Sequence, residues 1–155
     1  MKNYKKYQYL GYTYPGVSKP WVPIVEEMLI KIDKQIRPWY VPRFVLNILH
    51  FWATGNSVVR VESRFWYNLF HKIISVTIMD IKDKYAELRV YGSFTKEVYE
   101  IVKWAEKECE LTCEKCGSRA DVKYCGKRWV YNYCVYCRVE AGLENETFTN
   151  EIIET

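Results

Sequence analysis

A chain of 155 residues that is 49% hydrophobic and 27% charged has enough apolar material for one domain with a real core, which argues against a disordered polypeptide. Its net charge of +4 permits contact with nucleic acid without requiring it and argues against an acidic mimic of DNA. The opening stretch MKNYKKYQYLGYTYPG has no apolar run, and the most apolar window, 44–53, is ten residues long and contains Asn47 and His50, so neither a signal peptide nor a membrane span is expected and a cytoplasmic location is.

In chain order, residues 1–16 read as a basic, tyrosine-rich arm. Tyr7 and Tyr9, then Tyr12 and Tyr14, alternate with other residues, and Pro15-Gly16 closes the stretch. A helix is predicted from Trp21 to Ile36, because Trp21, Val25, Met28, Leu29, Ile32 and Ile36 recur at the 3.6-residue period. Ser18 is its candidate cap, Pro20 and Pro23 sit where a missing N–H is tolerated, and Pro38 ends it. Two further helices are predicted, over 42–53 and over 59–72. The period then changes. IISVTIMDIKDKYAELRVYGS alternates, with Ile74, Val76 and Ile78 on one side and Ala86, Leu88 and Val90 matching them, which predicts a hairpin turning near KDKY. A helix capped by Thr95 follows to Cys109, burying Val98, Ile101, Val102 and Ala105.

All six cysteines fall between 109 and 137. In a compartment where thiols stay reduced, that clustering suggests metal before disulfides. Cys113-x2-Cys116 and Cys134-x2-Cys137 stand 17 residues apart, within the spacing of four-cysteine zinc sites. Each pair can bring two thiolates to one ion, and Gly117 suits the sharp turn after the first. Four thiolates close a tetrahedral shell around Zn2+, so the predicted role is structural. The strands of the intervening hairpin are predicted at ADVKY and RWVYNY. Cys109 reads as a small buried hydrophobe and Cys125 as a bystander thiol.

Lys127, Trp129, Tyr131 and Tyr133 are predicted to share one face of the second strand, with Lys123 and Arg128 nearby. Such a surface fits three uses: packing against the preceding helix, a protein-binding hot spot, or a platform on which single-stranded nucleic acid stacks. The sequence leaves all three open. An enzyme is not expected. The two histidines, His50 and His71, lie far from the cysteines, and no histidine follows residue 71 to serve an HNH-type nuclease. No Walker loop, GxGxxG or HExxH is present.

The segment 78–117, IMDIKDKYAELRVYGSFTKEVYEIVKWAEKECELTCEKCG, resembles one found in small phage, prophage and bacterial proteins. There a strand ending V-K-E-K-F-G-G-L-R-F-Y leads into a helix and a CxxC knuckle. Ile81, Lys82, Asp83, Lys84 and Tyr85 stand at the V-K-E-K-F positions, and Leu88, Arg89, Val90 and Tyr91 at L-R-F-Y. Ala86-Glu87 replaces the glycine pair. An earlier W-x-P-[IL]-[IV] helix is echoed by Trp21, Pro23, Ile24 and Val25, so the likeness extends over about residues 18–138. The resemblance implies a phage-encoded protein that acts on host machinery, for which zinc-containing anti-CRISPR proteins that bind and inhibit Cas9 are the concrete example.

The expected fold is α+β: N-terminal helices packed on a β-hairpin and helix, with a C-terminal four-cysteine zinc ribbon. Its expected divisions are an arm over 1–16, an α+β domain over 17–110, the ribbon over 111–142 and an acidic tail over 143–155. The expected function is non-enzymatic inhibition of a host defence nuclease of the Cas9 type by protein binding. The alternative is a nucleic-acid-binding zinc ribbon or transcriptional modulator.

Overall fold

A computed structural model describes residues 16–37, 41, 42, 45 and 76–148. The helices expected over 42–53 and 59–72 lie outside the described residues, apart from one turn in which the Val45 N–H donates to the Pro42 carbonyl at 3.0 Å. The arm ahead of Gly16 lies outside them too.

The chain enters through a 3-10 turn, Lys19–Trp21, and continues as α1, Val22–Ile36. The whole predicted stripe, from Trp21 to Ile36, is buried. Ser18 does not cap the helix with its side chain. The Trp21 N–H donates instead to the Ser18 carbonyl at 3.0 Å, and this tight entry leaves the buried Ser18 hydroxyl without a partner. One polar residue joins the apolar face. Asp33 is fully buried, and its carboxylate accepts from Arg37 Nε at 3.1 and 3.2 Å. Arg37 also donates to the Val41 carbonyl at 3.3 Å, so the pair that neutralises the buried charge also fixes the exit from α1.

Strands β1, Thr77–Lys84, and β2, Glu87–Ser93, form an antiparallel hairpin. Its two turn residues are Tyr85 and Ala86, with φ of 56° and 62°. Positive φ at both positions is what a two-residue hairpin of type I′ demands, and Ala86 takes it where the resembling proteins carry glycine. The strict alternation predicted for β1 fails at Met79. The register runs Ile78 opposite Gly92, then Asp80 opposite Tyr91, so Met79 is an extra residue in a bulge and is 76% exposed. Past the bulge the inward phase shifts, and Ile81 joins Ile78 in the core. Gly16 lies along the other edge of β1, donating to the Ile81 carbonyl at 2.9 Å and accepting from the Asp83 N–H at 3.0 Å.

Helix α2, Lys96–Glu110, starts at Thr95, whose hydroxyl accepts from the Val98 N–H at 3.4 Å. Val98, Val102, Ala105 and Cys109 are buried in one cluster with the α1 stripe and Val76, Ile78, Ile81 and Leu88. This core supports a smaller ribbon. Strands β3, Lys123–Cys125, and β4, Tyr131–Tyr133, form its hairpin. Helix α3, Val135–Ala141, follows, and β5, Thr147–Phe148, returns to pair with β3, giving the order β4-β3-β5. The first residues of the expected tail are therefore part of the ribbon sheet. Among the described residues no helix is long and apolar enough to cross a membrane.

Candidate metal centre and the surface it holds

The chain turns sharply after α2. The Cys113 N–H donates to the Ser118 carbonyl and the Gly117 N–H to the Cys113 carbonyl, both at 2.9 Å. Gly117 has φ 80°, the left-handed conformation expected of it. Cys113 and Cys116 thus project from one knuckle. The second pair is placed differently from the first: Cys134 is the N-cap of α3 and Cys137 lies in its first turn. The short helix turns both thiols back toward the knuckle.

The Sγ atoms of Cys113, Cys116, Cys134 and Cys137 all lie within 4.8 Å of one another, and those of Cys116 and Cys134 are 3.5 Å apart. Tetrahedral coordination at about 2.3 Å separates thiolates by about 3.8 Å, so the four residues fit one metal ion. Cys113, Cys134 and Cys137 are buried, while Cys116 is exposed. The Ser118 N–H donates to Cys116 Sγ at 3.4 Å. Burial opposes the thiolate of Cys134, but the Cys137 backbone N–H and the thiols of Cys116, Cys137 and Cys113 outweigh it and bring it down to about 7. Cys137 is pushed up, first by burial and then by the same neighbours. Metal binding displaces whatever protons these thiols carry.

Neither extra cysteine joins the cluster. Cys109 is buried in the main core, where burial and then Asp83, Glu108 and Glu106 raise its thiol to about 12. Cys125 is buried in β3, and its thiol is raised chiefly by burial. Both are held as neutral thiols.

Of the predicted partner-binding residues, Lys123 lies in β3, and Tyr131 and Tyr133 lie in β4. Their rings stack with centroids 5.0 Å apart, and Tyr133 packs against the thiol cluster. Lys127, Arg128 and Trp129 fall in the bends before β4, so the predicted four-residue face does not form. The connection is pinned at Gly126, with φ 140°, where an added Cβ would stand 1.8 Å from the Trp129 carbonyl oxygen. Gly126→Ala is therefore expected to destabilise the ribbon by more than about 1 kcal/mol, read as a lower melting temperature and weaker metal retention. Trp129 is 72% exposed. Lys123 pairs with Asp121 at 3.2 Å and Lys127 with Glu146 at 3.4 Å. Arg128 is exposed and has no ion pair among the described residues.

Three features of this region are not visible in the sequence pattern. Asn132, between the stacked tyrosines, is fully buried and donates from Nδ2 to the carbonyls of Cys109, Glu110 and Thr112 at 3.0, 2.8 and 3.4 Å. Arg138 is almost fully buried, bridging Asp121 Oδ2 at 2.6 Å and the Tyr133 carbonyl at 2.9 Å. The third is a cleft of about 400 Å³ between the β1–β2 turn and the bend before β4, lined by Asp83, Lys84, Tyr85, Glu114, Trp129 and Tyr131 among others. Burial, then the nearby Asp83, raises the Glu114 carboxyl to about 7 against the pull of an Asn132 backbone hydrogen bond. Burial also raises Asp83. Because the folded state holds Asp83 above its ordinary value, its contribution to stability is full below that value and is lost as pH rises through the folded one. Asp83→Asn is accordingly expected to raise the melting temperature at neutral pH and to leave it nearly unchanged in acid.

No family model, curated protein or solved structure matches this chain.

Proposed function

We propose that this chain is a non-enzymatic inhibitor that works by protein binding, with a structural Zn2+ holding its ribbon and a Cas9-type host defence nuclease as its target. The ion is assigned from the donor set. Four thiolates at tetrahedral spacing favour zinc over hard cations, and a closed shell leaves no position for substrate. The choice of target rests on the resemblance of residues 78–117 to phage zinc-knuckle proteins.

The observation that carries the protein-binding reading is Trp129, 72% exposed on a connection pinned at Gly126. A large ring held open to water on a stapled module is the usual anchor of a binding hot spot. Charge points the same way. Residues 113–148 hold six basic and five acidic side chains, and four thiolates around a divalent ion add further negative charge. Such a ribbon exerts little pull on a phosphate backbone.

The test is DNA cleavage by purified, guide-loaded Cas9 proteins from plausible hosts, with and without the zinc-loaded chain. Stoichiometric inhibition that survives raised salt and is weakened by Trp129→Ala is expected. Absence of both binding and inhibition across those nucleases would remove the target assignment. The unpaired Arg128 beside Trp129 favours a second reading, a nucleic-acid-binding ribbon or transcriptional modulator. That reading requires DNA or RNA affinity that falls steeply with salt.

A further inference from the structure

The cleft beside the β1–β2 turn joins aromatic walls to an acidic floor. We propose that it receives one arginine side chain presented by the partner protein. The inference rests on the protein-binding reading and supplies the chemistry of its contact.

The walls are Trp129 and Tyr85, 72% and 56% exposed, with the half-buried Tyr131 beside them. Flat, electron-rich faces of this kind attract a planar guanidinium. The floor is Asp83 and Glu114, both half-buried and neither with an ion pair among the described residues. A guanidinium carries five donors in a fork that matches carboxylate oxygens, whereas an ammonium is a point charge that does not stack. The rim already holds a cation on a ring, since Lys84 Nζ lies 5.2 Å from the Tyr85 centroid. At about 400 Å³ the cleft stands near the small end of ligand sites and suits one long side chain. A phosphate would be repelled by either carboxyl group in its ionised form. An apolar side chain would bury them without a counter-charge, which is costly. Asp83 and Glu114 face one cleft beside exposed rings, and with neither in an ion pair among the described residues they describe half of a contact whose other half is on another molecule.

The experiment is an NMR titration of the full, zinc-loaded chain with acetyl-Gly-Arg-Gly-amide, alongside the same peptide carrying citrulline or lysine in place of arginine. Saturable shifts at the Trp129 indole and the amides of Tyr85 and Tyr131 are expected with arginine. Citrulline, the same shape without the charge, is expected to bind at least about tenfold more weakly, and lysine more weakly than arginine. Asp83→Asn and Trp129→Ala are each expected to weaken the arginine peptide by about tenfold, with metal content unchanged. The assignment is overturned if no saturable shift occurs, if citrulline or lysine matches arginine, or if Asp83→Asn retains full affinity. A nuclease bound equally by the wild-type and Asp83→Asn chains would overturn the arginine site and keep the protein-binding reading. Arginine-peptide binding without any nuclease binding would keep the site and overturn the target.

Discussion

Serine at Cys113 or at Cys137 is expected to strip the metal and unfold residues 113–148, leaving α1, α2 and the β1–β2 hairpin folded. The two parts of the structure are stabilised differently. The main core buries Trp21, Met28, Leu29, Ile32, Ile78, Ile81 and Leu88 together. Among the described residues the second cluster consists of Cys113, Cys134 and Cys137, with Val122 and Tyr133 packed on them. So little apolar burial does not offset the cost of ordering the ribbon, and a metal ion on the four thiols would supply the remainder. Structural zinc binding to small modules contributes about 10–16 kcal/mol at neutral pH, far more than the ribbon's exposed ion pairs can give. A serine hydroxyl does not ionise near neutral pH, and the remaining thiols lose their tetrahedral partner. Metal content per chain and a two-step melt measure the effect, and a strong chelator should reproduce it on the wild type. Cys125→Ser, outside the cluster, should retain the metal. Full metal occupancy and an unchanged melt in the Cys113 and Cys137 variants would show the ligands to be misassigned.

Asn132→Leu should be the next most damaging change, without touching a ligand. The Asn132 side chain faces three carbonyls at the end of α2, which fixes its amide orientation, because only Nδ2 can donate to them. Its own backbone carbonyl accepts from the Glu114 N–H at 3.0 Å. One residue therefore satisfies the frayed end of α2 and ties the ribbon hairpin to the first knuckle. Leucine keeps the branched shape, with more bulk, but leaves a buried acceptor empty, at about 1–3 kcal/mol for each group that finds no replacement. The Thr112 carbonyl retains the Trp21 indole N–H at 2.8 Å and the Cys109 carbonyl retains the Thr112 N–H at 3.0 Å, so the loss falls mainly on Glu110. A loss of about 1–3 kcal/mol corresponds to a drop of roughly 3–10 °C in a domain of this size. The variant should still bind one metal per chain. A melt indistinguishable from wild type would show that water satisfies these carbonyls.

The parts legible in the sequence are those set by local period and local chemistry. The α1 stripe, the Thr95 cap and the buried face of α2 follow from residues three or four apart, and the CxxC pairs declare their own geometry. The bulge at Met79 was hidden because alternation has no marker for an inserted residue, and the shifted phase shows only once β2 is paired. Period 2, carried through the bend that Gly126 requires, puts Trp129 on a strand that the chain does not form there. Strand β5 was hidden because two residues, Thr147 and Phe148, carry no periodic signal. Asn132 and the Asp83–Glu114 pair depend on contacts between the hairpin and the ribbon, which no local pattern encodes.

The hydrogen bond from Trp21 to Thr112 spans 91 positions of sequence, and its consequence is one of timing. During synthesis α1 emerges well before α2, the partner that covers its apolar stripe. At about 5–20 residues per second, Trp21 waits roughly 5–20 s for Thr112, with Val25, Met28, Leu29 and Ile32 beside it and α2 not yet made. The nascent chain is therefore most open to aggregation, and most dependent on a chaperone, in the interval before the first knuckle is translated.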